Sequence, residues 1–80
     1  MKREELKEDI IKLVLVKEQL SIKEIARLYN ETQYISKRLI KEIIKELIAQ
    51  GILVKVEDLD HFGNNVDDVV LNENYELEGR

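Results

Sequence analysis

The 80-residue chain has no cysteine, proline or tryptophan, and only three glycines and one histidine. Without cysteine, disulfides and Cys-ligated zinc are excluded, which fits a reducing compartment. No Pro/Gly-rich or low-complexity stretch interrupts the chain, and its length suits one domain. Its apolar runs fall short of the roughly 18–20 residues a membrane span requires. Glu4, Glu5, Glu8 and Asp9 follow closely on Lys2 and Arg3, a pattern foreign to secretory leaders. A cytoplasmic protein with no membrane partner is therefore expected. Gly-rich phosphate loops, nucleophile elbows and zinc spacings are all missing. His61, in a turn beside Asp58 and Asp60, lacks the companions a metal site requires and reads as a solvated loop residue. Asp67 and Asp68 resemble paired catalytic carboxylates, but no nucleophile or base accompanies them, and protection of a strand edge explains them better. No enzymatic activity, cofactor or metal is expected.

What is present is periodic. Apolar residues make up 44% of the chain, enough for a core, although an 80-residue domain buries only roughly 60% of its unfolded surface. The net charge of −4 hides an asymmetry. Residues 1–50 carry eleven Lys/Arg against nine Asp/Glu, whereas residues 51–80 carry two against eight. Within residues 32–45, Lys37, Arg38, Lys41 and Lys45 face a single acid, Glu42, for a local charge of +3.

The spacing of Leu6, Ile10, Leu13 and Val14 predicts a first helix over residues 4–18, with acids in its first turn and Lys17 near its end. Ser21-Ile22-Lys23-Glu24 forms a capping box, with Leu20 and Ile25 placed as a hydrophobic staple. A short second helix should follow, burying Ile22, Ile25, Ala26 and Tyr29 and stopping near Tyr29 or Asn30. A third helix then starts at Asn30 or Thr32 and runs to Gln50, with Gly51 as its stop. Beyond it, residues 52–57 and 66–71 alternate as two strands around a turn at Gly63-Asn64-Asn65, and Tyr75 and Leu77 are placed to pin a polar end.

This order of elements resembles a winged helix-turn-helix domain, of the kind found in small prokaryotic, archaeal or viral transcriptional regulators. The likeness is carried by Ser21-Ile22-Lys23-Glu24-Ile25-Ala26 at the second helix, Ile35-Ser36-Lys37-Arg38-Leu39 at the recognition helix, and Leu47-Ile48-Ala49-Gln50-Gly51-Ile52-Leu53 at the join to the wing. It implies an α+β, mainly α fold. Three helices and a C-terminal β-hairpin wing would fill a single domain over residues 1–75, with a polar tail at 76–80. Two departures stand out. The third helix, counted from Ile35 to Gly51, is about one turn longer than the family's, and the turn between Asn30 and Ile35 lacks the usual Gly.

The resemblance further implies a non-enzymatic DNA-binding regulator that lays helix 3, about Thr32 to Gln50, in the major groove of double-stranded DNA. On a helical wheel, Ile35, Leu39, Ile43 and Leu47 form one arc, extended by Ile40, Ile44 and Ile48. The remaining face carries Tyr34, Lys37, Arg38, Lys41 and Lys45, cations suited to phosphates. Near the start, Thr32, Gln33, Tyr34 and Ser36 supply short polar groups for base edges, while Arg38 can fork onto guanine. Ser21 and Lys23 can hold the flanking backbone. Glu42 and Glu46 are also placed to pair with these lysines or with partners one turn away. The acids of the hairpin, Asp58, Asp60, Asp67 and Asp68, would repel phosphates, so the wing should not help. The wide apolar arc of helix 3, or helix 1 through Ile11 and Leu15, suggests a homodimer. An alternative stays open: a winged-helix protein-interaction module or assembly subunit that does not bind DNA.

Overall fold

The computed structural model describes residues 2–56 and 67–75. Along them run α1 (Arg3–Lys17), β1 (Gln19–Ser21), α2 (Ile22–Gln33), α3 (Lys37–Ala49), β2 (Leu53–Val56) and β3 (Asp68–Leu71). The fold is α+β and mainly helical, its three helices packed with a three-stranded antiparallel sheet in the order β1-β3-β2. The hairpin turn at Gly63-Asn64-Asn65, together with Asp58, Asp60, His61 and Leu77, lies outside the described residues, as does the tail 76–80.

One apolar stripe from each helix meets in a single core. From α1 it takes Leu6, Ile10, Ile11 and Val14; from α2 Ile22, Ile25, Ala26 and Tyr29; from α3 Ile40, Ile43, Ile44 and Leu47. The sheet closes it with Leu53 and Val69. Within β2, Leu53 faces inward, while Val54 is exposed. Register explains this. Leu53 pairs with Leu71, and Lys55 with the buried Val69, so Val54 and its partner Val70 take the outer face.

The start of α2 and the end of α3 are satisfied locally. The Ser21 hydroxyl accepts the Glu24 amide hydrogen at 3.0 Å, the first half of the expected capping box. Gly51, at φ 77°, ends α3 and passes the chain to β2, with the Ile52 amide bonding to the Leu47 carbonyl. Asn72 ties this corner shut by donating from its side chain to the Gly51 carbonyl and from its amide to Ile52. Tyr75 follows in a turn and packs against the core.

Two features differ from expectation. The second helix does not stop at Asn30 but continues to Gln33, so the third starts at Lys37 and has 13 residues rather than an extra turn. The reason lies in which residue turns left-handed. Tyr34, at φ 57°, takes that conformation, and its amide and that of Ile35 both bond to the Tyr29 carbonyl. Asn30 stays helical and lends its side chain to the Ile35 carbonyl instead. Ser36 then caps α3 by accepting the Leu39 amide hydrogen. The second difference is β1, whose three residues are too few to show alternation; it forms because β3 offers an open edge, aligning Gln19, Leu20 and Ser21 with Val70, Val69 and Asp68.

Candidate nucleic-acid interface

Lys23 and Arg27 stand one turn apart on an exposed flank of α2. Lys37 and Lys41 repeat that spacing on α3. Ala26, fully buried, lets the two helices approach closely, and the four cations converge on the seam. With Ser21, Glu24 and Ala26 they line a cleft of about 370 Å³. Lys41 also belongs to a neighbouring depression with Arg38, Glu42 and Lys45. The two form one strip holding six cations and two carboxylates, a local charge of +4.

What the carboxylates do decides whether this charge is available. Glu42 lies 3.8 Å from the exposed Arg38. Glu46 turns away from the strip and binds Arg3 at 2.9 Å and Lys7 at 2.8 Å, both on α1. Hydrogen bonds from Lys7 first, then Arg3, hold the Glu46 carboxyl below its ordinary range. Among the described residues no carboxylate lies within ion-pair distance of Lys23, Arg27, Lys37, Lys41 or Lys45. The first turn of α3 has no acid either, so the positive end of its dipole adds to the same field.

The residues singled out in the sequence divide into three groups. Lys23, Lys37, Arg38, Lys41 and Lys45 come together on the strip. Ser21 lines the cleft and Ser36 directly precedes Lys37, their hydroxyls engaged in capping α2 and α3. Tyr34 occupies the turn between the helices and is 90% exposed. Thr32 and Gln33 are placed differently from the expectation: they end α2 instead of opening α3. Both line a groove toward α1, and the Thr32 hydroxyl donates to the Leu28 carbonyl at 2.7 Å. Arg27 is the cation that the sequence reading overlooked. Its signal was the four-residue interval from Lys23 on a helix already recognised.

Elsewhere the chemistry is muted. Asp67 lies 3.4 Å from Lys55, and Asp68 accepts the Gln19 amide hydrogen at 2.7 Å, so the two form no carboxylate pair. Among the described residues there is no group of three side chains suited to a metal ion, and no helix long and apolar enough to cross a membrane. The helix 3 arc expected to seat a second copy is covered within one copy, since Ile40 and Ile44 are fully buried and Ile48 partly so. Ile11 is buried too, leaving Leu15 at 39% exposure. No family model matches the chain, and no curated protein or solved structure matches it significantly.

Proposed function

We propose that the chain is a winged helix-turn-helix domain that binds double-stranded DNA without catalysis and acts as a transcriptional regulator. The observation that carries this reading is the cationic strip on which Lys23, Arg27, Lys37, Lys41 and Lys45 gather, none of them within ion-pair distance of a carboxylate among the described residues. The order of helices, the short turn at Tyr34 and the hairpin after Gly51 support the fold. Each cation brought against a phosphate releases condensed counterions, a gain independent of sequence. The start of α3, with Ser36, Lys37 and Arg38 beside the exposed Tyr34, is the part that enters the major groove. Thr32 and Gln33 give way as base readers, while Arg27 joins Lys23 on the backbone.

The test is fluorescence anisotropy with a labelled random-sequence duplex at about 50 mM salt. Arg27→Ala and Lys41→Ala should each weaken binding by about tenfold or less on every duplex, whereas Arg38→Ala should alter preference among sequences. Absence of binding by the unaltered chain overturns the reading. The rival is a protein-interaction module or assembly subunit on the same fold. It is favoured by the exposed apolar groove between α1 and α2, and it predicts no response to any of these substitutions.

A further inference from the structure

Glu42 is out of place on the strip. It shares a depression with Arg38, Lys41 and Lys45, where a carboxylate repels the phosphates that the cations attract. The fold does not account for it. Among the described residues its carboxylate accepts no hydrogen bond, and its one ionic neighbour is Arg38 at 3.8 Å. That pair stabilises α3 little. Arg38 precedes Glu42, the weaker order for residues four apart, and stands in the first turn, where a cation opposes the helix dipole. Both side chains are exposed, Arg38 at 90% and Glu42 at 55%, so water screens their attraction.

Direction separates Glu42 from most of the lysines around it. At about 100° per residue, Arg38, Glu42 and Lys45 fall within about 60° of one another, opposite the buried Ile43, Ile44 and Leu47. Lys37 and Lys41 lie to one side of them, on the flank that meets α2 in the cleft. A helix seated in the major groove sends its outermost side chains to the base edges and its flanks to the phosphates. On that seating Lys37 and Lys41 meet the backbone, and Glu42 meets bases beside Arg38. Lys45, nearer the C-terminal end of α3, lies outside the half of the helix that enters the groove.

We propose that Glu42 is a specificity residue that reads a cytosine close to a guanine taken by Arg38, an inference that rests on the DNA-binding reading above. An ionised carboxylate only accepts hydrogen bonds. In the major groove guanine and thymine offer it acceptors, and so repel it. Adenine donates from N6 but sets its N7 acceptor alongside, whereas cytosine donates from N4 without such a neighbour. Cytosine therefore suits Glu42 best. The Arg38 guanidinium requires the reverse, two adjacent acceptors, which guanine O6 and N7 provide. At 3.8 Å the two side chains are too far apart to hydrogen-bond each other, so both are open to bases. Four residues of helix rise about 6 Å, which places the two bases at most about two steps apart.

Selection of bound duplexes from a randomised pool, followed by sequencing, tests this beside anisotropy on the unselected pool. The unaltered chain should enrich duplexes with a cytosine within about two steps of a guanine. Glu42→Gln keeps the size of the side chain and removes its charge. It should cut the preference for that cytosine by about tenfold and turn it toward adenine, which an amide pairs with at N6 and N7. Its affinity for the unselected pool should rise, because a charge that repels phosphate is gone. With Glu42 exposed, circular dichroism of the variant should match that of the unaltered chain. Arg38→Ala should lose the guanine, and Lys41→Ala should bind more weakly with the enriched sequence unchanged. Pool binding with no enriched cytosine, or a cytosine preference that survives Glu42→Gln, overturns the proposal and leaves DNA binding standing. No binding to the unselected pool overturns both.

Discussion

Tyr34 does two jobs that can be separated. Its backbone, at φ 57°, makes the stop between α2 and α3, and its side chain projects into solvent at 90% exposure. The left-handed conformation costs a residue with a Cβ about 1 kcal/mol or more, and nothing in the local sequence marks Tyr34 for it. Asn30 is the residue type that ordinarily takes it, which is why a helix end at residue 30 is the natural reading. In the protein Asn30 is worth more as a side-chain donor to Ile35. Tyr34→Gly should therefore raise stability by about 1 kcal/mol, or about 4–8 °C in Tm for a domain of this size. If the ring also touches DNA, the same variant should bind more weakly while melting higher, so melts and anisotropy on one protein distinguish the two roles. At this scale the candidate site was largely legible: the lysines of α3 were visible from periodicity alone. Arg27 became visible only once α2 and α3 were seen to share a cleft.

At the scale of elements, packing was more legible than boundaries. The stripes of α2 and α3 follow a 3.6-residue period, and the residues expected to be buried on α2 are the ones in the core. What could not be read was the partner of each element. Three residues of β1 carry no periodic signal and depend wholly on the edge of β3. Likewise Glu46, legible as a surface acid of α3, gave no sign that it would reach back to Arg3 and Lys7 on α1, 43 and 39 residues earlier. That link has a pH signature. Lys7 and Arg3 lower the folded-state pKa of Glu46 below its ordinary 4.5, so the folded state favours the carboxylate. The contribution is full above pH 4.5 and is lost as pH falls through the lowered value. Glu46→Gln should flatten the loss of stability below pH 4.5, measured by urea melts across the acid range. Because Glu46 and Arg3 are solvent-accessible, the change should be small, as exposed ion pairs contribute little. Its larger consequence is electrostatic arrangement: Glu46 neutralises α1 rather than Lys45.

For the molecule as a whole, the net charge of −4 is a poor guide to what its surfaces attract. Six cations and two carboxylates gather on one strip, while Asp67 and Asp68 are engaged with Lys55 and Gln19. The sum over the chain conceals this because electrostatic attraction over about 10 Å depends on the local face, not on the total. The fold explains how the segregation arises. Each of α2 and α3 buries one stripe in the core and turns an adjacent flank toward the seam they share. The most direct measurement is the salt dependence of binding to random duplex DNA. If most of the six cations meet phosphates, a plot of log affinity against log salt should be linear with a slope of about −4 to −5, and shallower by about one in Lys37→Ala. A slope near zero, or no detectable binding at about 50 mM salt, would contradict the account.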